Sequence, residues 1–282
     1  IPPPPARVEV HFDHSQTILR QNKSPDLPFE WSLNPYRGCT HACAYCYARA
    51  FHEYLELGAG TDFDRKIRVK LDAAELLRAR LMQSSWIGER IMFSGVTDCY
   101  QPMERTYGLT RGCLEVCNEF RNPVSIVTRS PLILRDLELL KKLASYDAVE
   151  VHISVPILDP KLARALEPGA PPPGARLRAI ESLSHAGIPV GISLSPLIPG
   201  INDHAIPDTL GAAKDAGADW AWMQLVRLSE PVAQVFERRL HEALPLRAET
   251  VMHRIRRARG GKLNSQEWHK RMSGVDATWT MA

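Results

Sequence analysis

The sequence predicts an α/β fold built of parallel βα units. The first observation is an alternation: from residue 90 to residue 226, short apolar runs rich in Val and Ile take turns with segments of helical pattern. Such alternation calls for parallel strands joined by crossover helices. The second is the run Gly187-Ile188-Pro189-Val190-Gly191-Ile192-Ser193-Leu194, which carries no charge, as a strand covered on both faces requires. The third is a count: with Trp31–Pro35 ahead of the alternation, six strands emerge.

Taken in order, residues 1–30 hold Pro2–Pro5, Pro25 and Pro28 and little periodicity. They read as an extended arm with one strand, Arg7–Phe12, since proline runs favour the polyproline conformation. Trp31–Pro35 is the first strand of the main fold. Arg49–Leu57 reads as a helix, broken by Gly58-Ala59-Gly60. Asp72 caps the next, with Leu76, Leu77 and Leu81 on one face. Then come strand Arg90–Val96, helix Thr110–Phe120, strand Val124–Thr128, helix Asp136–Ala144, strand Val149–Val155 and the short helix Pro160–Leu166. Helix Arg176–Ala186, strand Ile188–Leu194, helix Asp208–Ala216 and strand Trp220–Val226 complete the alternation.

Composition narrows the classes. At 282 residues, 44% hydrophobic and 24% charged, the chain suits one compact domain with appendages. The net charge of +3 argues only weakly for a polyanionic partner. No stretch approaches the ~18 apolar residues of a membrane span, so no membrane partner is expected. Six cysteines without a secretory signal point to a reducing compartment, and a cytoplasmic location is expected. The chain starts without Met, which suggests a fragment of a longer protein.

The chemistry concentrates in Cys39-Thr40-His41-Ala42-Cys43-Ala44-Tyr45-Cys46, three cysteines at spacing C-x3-C-x2-C. Three thiolates are one short of the four that hold a cubane iron–sulfur cluster, and an iron without a protein ligand is an open site for substrate. A structural zinc wants four ligands, often in paired C-x2-C knuckles, and no second knuckle exists here. A disulfide framework fits poorly because the cysteines are crowded and odd in number.

This loop, C-x3-C-x-(aromatic)-C, resembles that of the radical S-adenosylmethionine (SAM) superfamily. The wording C-x-Y-C-Y, with Tyr45 and Tyr47 flanking Cys46, resembles the spore photoproduct lyase, or DNA repair photolyase-like, branch, and the likeness runs roughly from Ser32 to Gly261. The resemblance implies a partial (β/α)6 TIM-type barrel with an N-terminal extended arm and a C-terminal helical basic extension. It implies that Cys39, Cys43 and Cys46 hold a [4Fe–4S] cluster whose fourth iron is chelated by SAM. The division expected is an arm over 1–30, a radical SAM barrel over 31–230 and a basic extension over 231–282.

In barrels of this kind the active site lies at the carboxyl ends of the strands. After the second strand comes Ser94-Gly95-Val96-Thr97-Asp98-Cys99. The resemblance makes Asp98 the contact for the SAM amino group and Cys99 a donor of a hydrogen atom to a substrate radical. The lyases carry that cysteine three residues before the Asp; here that position is Gly95 and the thiol follows the Asp. After the third strand, Arg129 and Ser130 suit the carboxylate and ribose of SAM; Arg129 stands where the lyases have a lysine. After the fourth, Ser154 resembles a SAM-contacting serine, and alternation puts His152 on the same side. Glu167-Pro168-Gly169 resembles a lyase segment and reads physically as a helix stop and stiff loop. Ser195 and Ile198 are expected near adenine, Asn202 and Asp203 at the rim, and Gln224 and Arg227 near the mouth. Tyr45 packs by adenine or, with Tyr47, relays a hydrogen atom. Cys113 and Cys117, at i and i+4 on one helix face, read as core residues.

From Arg247 to Arg271 eight cations (Arg247, Arg254, Arg256, Arg257, Arg259, Lys262, Lys270 and Arg271) face two anions, Glu249 and Glu267. Such asymmetry suits a phosphate backbone, with Trp268, His269 and Trp279 available to stack on bases; a solvated basic helix gives the same pattern. The function expected is reductive cleavage of SAM and hydrogen abstraction from a thymine-dimer-type lesion in DNA, a lyase reaction fed by an external one-electron donor such as flavodoxin or ferredoxin. The alternatives are radical modification of an RNA base, a peptide or a metabolite, and an iron–sulfur redox sensor without turnover.

Overall fold

The structure is a computed structural model that describes residues 7–265, 267 and 271–275. Its strands are β1 (Glu9–Phe12), β2 (Leu19–Gln21), β3 (Trp31–Leu33), β4 (Tyr36–Arg37), β5 (Lys66–Val69), β6 (Ile91–Phe93), β7 (Val124–Thr128), β8 (Val149–Ser154), β9 (Val190–Ser193) and β10 (Ala221–Trp222). Seven form one sheet in the order β10-β9-β8-β7-β6-β3-β2. The run from β3 to β10 is parallel throughout, and β2 lies antiparallel on β3. The six parallel strands follow sequence order across the sheet, which ends at β10 and β2: the α/β partial barrel that the alternation predicts.

Burial explains these strands. Every residue of β9 is buried, as its charge-free sequence requires. Gly191 is set by a neighbour, because a Cβ there would lie 2.3 Å from the Trp220 indole nitrogen. That nitrogen donates to His152 Nδ1 at 3.2 Å, so His152 is a partnered histidine of the barrel wall. Helix Leu109–Phe120 turns Cys113, Leu114 and Cys117 inward, all fully buried in the main core.

Three segments depart from the sequence reading. The coil after the cysteines is a 3-10 helix over Tyr47–Leu55, not an α-helix over Arg49–Leu57. In that tighter coil, residues three apart share a face; Arg49 and His52 are buried together, and Arg49 donates to Cys43 O (2.9 Å), Ala59 O (2.9 Å) and Asp64 Oδ1 (2.7 Å). The last parallel strand shrinks from Trp220–Val226 to Ala221–Trp222. Beyond Trp222 the pairing resumes only as a single parallel bridge of Leu197 with Leu225, and the C-terminal segment binds there too: Leu225 N donates to Met272 O at 3.0 Å, and Arg259 donates to Leu225 O at 2.9 Å and Val226 O at 2.6 Å. At the N-terminus, β1 pairs with β5 in a separate sheet of order β1-β5-β4, while β2 extends the main sheet.

The basic tail is also less free than its sequence suggests. Arg259 is only 3% exposed. Arg247 donates to Gly200 O at 2.5 Å, and Arg271 pairs with Asp26. Those three arginines stitch the tail to the barrel, leaving Arg254 and Arg257 exposed. Trp268, His269, Lys270 and Trp279 lie outside the described residues. Helices Glu230–Ala243 and Ala248–Ala258 bury Phe236, Leu240, Met252 and Ile255 in a second apolar cluster that includes Cys43, Tyr45 and Ile198. Among the described residues no helix is long and apolar enough to cross a membrane.

A candidate active site on the cysteine loop

The loop after β4 is held from both sides. Gly38 takes a positive φ of 78°, and a Cβ there would press at 3.0 Å on Lys66 O and Phe63 O. Cys39 N donates to Phe63 O at 2.9 Å. The fully buried Gln101 accepts from Thr40 N at 3.1 Å and donates to Gly38 O at 3.0 Å. On the far side, Ala44 N donates to Leu166 O at 2.9 Å and Gly169 N to His41 O at 3.0 Å. A Cβ on Gly169 would stand 2.0 Å from Thr40 O, so only glycine permits this approach. Glu167-Pro168-Gly169 is therefore a buckle on the cysteine loop, beyond the helix stop that its sequence suggests.

Cys39 and Cys43 are buried, Cys46 is half-buried, and all three are free thiols. Burial pushes all three thiols up, Cys43 to about 12, where neighbouring Glu167 and Cys46 reinforce burial and Arg129 opposes it. The loop thus disfavours three bare thiolates and needs a cationic group to replace their protons. Three free thiols within eight residues of one strapped loop fit an iron–sulfur cluster by the chemistry of the donor set. Cys99, Cys113 and Cys117 belong to the main core and not to this loop.

The residues around it divide by what they touch. Asp98 is nearly buried. Oδ1 accepts from Thr128 Oγ1 (2.6 Å) and Tyr100 N (2.9 Å), Oδ2 from Arg129 N (2.9 Å), and His41 Nδ1 lies 3.3 Å from Oδ2. Burial would raise its carboxyl, but His41 and these donors outweigh burial and hold it at about 2. With three hydrogen bonds and the His41 ring on its carboxylate, Asp98 ties the β6 and β7 loops to the cysteine loop. Ser130 Oγ accepts from Leu132 N at 3.3 Å as a helix cap. Ser154 is buried, and its carbonyl accepts from Arg176 at 3.1 Å. Ser195 Oγ and Thr40 Oγ1 are buried without a partner. Ile198 packs in the cluster that holds Tyr45, its N–H on Asn202 Oδ1 at 2.7 Å. A cleft of about 250 Å³ opens on the His41 side of the loop, lined also by Ser130, Arg105 and Gly169.

Arg129 reaches the thiols directly: Nη1 lies 3.0 Å from Cys43 Sγ, 3.2 Å from Tyr45 OH and 3.0 Å from Glu167 Oε1. Tyr45 OH also donates to Glu167. Tyr47 is half-exposed, its hydroxyl on Gly95 O and its ring 5.7 Å from the Arg227 guanidinium. Cys99 is not brought to the open side. It is fully buried, its N–H on Ser94 Oγ (2.8 Å) and its carbonyl accepting from Thr110 Oγ1 (2.7 Å), within the core around Tyr36. Gln101 and His41 carry no signal in the sequence, whereas Glu167 stands in the Glu-Pro-Gly segment, which reads as a stiff loop or as a contact to ribose or substrate.

Fold and loop together define an α/β protein with three cluster-type thiols at the carboxyl end of a parallel sheet. The chain belongs to the radical SAM superfamily, whose family model matches residues 33–213; its cofactors are a [4Fe–4S] cluster and SAM. It is 39% identical over 202 residues to an uncharacterized protein of Mycobacterium tuberculosis, covering 70% of this chain and 59% of that relative's length. It is 32% identical over 198 residues to an uncharacterized protein of Methanocaldococcus jannaschii, covering 70% of this chain and 71% of the relative. Among solved structures, spore photoproduct lyase complexed with dinucleoside spore photoproduct superposes with a TM-score of 0.64 at 16% identity, covering 83% of this chain and 67% of that one.

Proposed function

We propose that this protein is a spore photoproduct lyase-like enzyme that acts on a thymine-dimer-type lesion in DNA. The observation that carries the nucleic-acid substrate is a row of exposed rings beside the cysteine loop. Tyr47, Phe51 and Tyr54 are 43%, 45% and 83% exposed. Successive ring centroids are 6.3 Å apart, and Arg227 stands against Tyr47. Bases stack on such rings regardless of sequence, and a contiguous apolar patch of this kind on a protein surface marks an interaction site. The C-x-Y-C-Y spelling and the likeness to the lyase structure with its dinucleoside support the same reading.

Bound together, the cluster and SAM supply the radical that takes a hydrogen atom from the substrate. Cys39, Cys43 and Cys46 hold the cluster. The remaining donors of Arg129 take the SAM carboxylate, Ser195 Oγ offers its unpartnered hydroxyl to the nucleoside, and Ile198 and Tyr45 form the apolar floor against adenine. Tyr47 stands in the row of exposed rings and would give the hydrogen atom that quenches the product radical, its phenoxyl returning to phenol with one electron from the external donor and a proton from water; Cys99 lies buried in the core around Tyr36. The two straps on the loop keep the thiols fixed and shielded from water. The electron for the cluster would come from an external one-electron donor such as flavodoxin or ferredoxin.

The test is anaerobic: the cluster-loaded protein, SAM and dithionite, with 5′-deoxyadenosine measured with and without a thymine-lesion oligonucleotide. Cleavage stimulated by the lesion, with repair lost in Tyr47→Phe and the DNA affinity reduced in Phe51→Ala/Tyr54→Ala, is expected. Cleavage indifferent to the oligonucleotide would overturn the DNA reading.

A further inference from the structure

We infer that Glu167 is a positioning residue that presents Arg129 to the SAM carboxylate. This rests on the reading of Arg129 above. Glu167 is fully buried at the end of helix Pro160–Leu166, and its carboxylate lies between two arginines. Arg176 is spent on it: besides Glu167 Oε2, it donates to Pro171 O at 2.7 Å and to Ser154 O at 3.1 Å. It is 1% exposed, with all three of its guanidinium nitrogens engaged by the protein. Arg129 is spent only in part. Nη1 meets Glu167 Oε1, Tyr45 OH and Cys43 Sγ, and the backbone N–H meets Asp98, while no protein acceptor meets Nε or Nη2 among the described residues.

The charges make the same point. Two guanidiniums share the single carboxylate of Glu167, and the one with donors to spare stands beside a cluster thiol. A guanidinium edge with Nε and Nη2 free matches a carboxylate. Left to itself, Arg129 would swing to solvent, since a long side chain keeps its rotamer freedom unless anchored. Glu167 supplies the anchor on one edge of the guanidinium and leaves the other edge for the ligand. Pro168 and Gly169, which buckle the cysteine loop, belong to the same segment, so one stretch of chain sets both the thiols and the carboxylate contact.

The experiment compares equilibrium binding of SAM and of decarboxylated SAM to cluster-loaded enzyme. The readout is the ratio of the two affinities in wild type, Arg129→Gln, Glu167→Gln and Glu167→Asp. Glu167→Asp keeps the charge beside Arg176 but draws it back from Arg129, so it reports even if Glu167→Gln fails to hold its cluster. Arg129→Gln is expected to reduce the preference for SAM on the order of tenfold, the worth of a charge-assisted hydrogen bond, and both Glu167 variants are expected to follow it. A ratio that falls in Arg129→Gln and stays at the wild-type value in both Glu167 variants would overturn the inference alone. A ratio unchanged in Arg129→Gln would overturn the carboxylate reading beneath it. Equal loss of both ligands in the Glu167 variants would make Glu167 a structural residue and also overturn the inference.

Discussion

Two buried carboxylates, Glu104 and Glu167, sit in matched surroundings and end differently. Each is fully buried, each accepts from a tyrosine hydroxyl and each pairs with arginine. Around Glu104 the accounting closes. Its oxygens accept from Tyr36 OH (2.5 Å), Thr110 N (2.9 Å), Arg111 N (3.3 Å) and Arg135 Nη2 (2.7 Å). Arg135 spends its other groups on Glu104 O (2.9 Å) and on both oxygens of Asp136 (3.0 Å each). Around Glu167 it does not close, because Arg129 keeps donors free beside a thiol. The difference separates scaffold from site. A saturated buried network fixes one packing arrangement; a network with spare donors at the mouth of a barrel still has a ligand to receive.

The largest expected effect falls on the site side. Cys43→Ala removes both a cluster ligand and a partner of Arg129, and iron content and 5′-deoxyadenosine formation should fall to background. Retention of a full, SAM-competent cluster would break the assignment of the loop. On the scaffold side, Glu104→Gln removes one partner of Arg135, which keeps Asp136, and should cost about 1–3 kcal/mol of unfolding free energy, read from urea denaturation of the loaded protein. The ratio of affinities for SAM and its decarboxylated form should stay at the wild-type value; a change in that ratio would erase the distinction between the two carboxylates.

Gly169→Ala sharpens it further. The added methyl meets Thr40 O at 2.0 Å, so the buckle must open, at a cost of about 1–3 kcal/mol typical of backbone displacement. Iron uptake should slow and the melting temperature fall, while Gly211→Ala, with nothing within 4 Å of its Cβ, should leave iron uptake unchanged. The smallest effect concerns a carboxylate away from both networks. Glu150 is held at about 2, first by His152, whose Nε2 lies 3.7 Å from Oε1, against partial burial, with Arg90 at 2.6 Å adding to the hold. Its folded value lies below its ordinary 4.5, so its contribution is fully present above about pH 4.5 and is lost as the pH falls toward 2. Glu150→Gln should flatten that part of the stability–pH curve; an unchanged slope between pH 5 and pH 2 would show that Glu150 has no such coupling.

What was legible locally was read correctly. The parallel strands at Trp31, Ile91, Val124, Val149 and Val190 fall where period and composition put them, because a strand's alternation is written within a few consecutive residues, whereas the short strands Tyr36–Arg37 and Lys66–Val69 were not read. The cysteine spacing and its tyrosines named the family for the same reason: the ligand loop is one short segment. The coil after the loop was misread because Arg49 and His52 fit either helical period, and buried hydrogen bonds to Ala59, Gly60 and Asp64 choose the tighter one.

By itself, the sequence determined the order of elements, the parallel sheet and the three thiols, since each depends on neighbours in the chain. Tertiary structure alone decided which charges act. Arg259 and Arg271 read as a basic patch and turned out to be stitches to Leu225 and Asp26. Asp98 read as a ligand contact, and its carboxylate also binds Thr128, Tyr100 and Arg129 of its own chain. Glu167 read as a loop residue and came to lie against Arg129, 38 positions away. A side chain's free donors are what packing leaves over, and packing joins residues whose distance in the chain carries no signal of their contact.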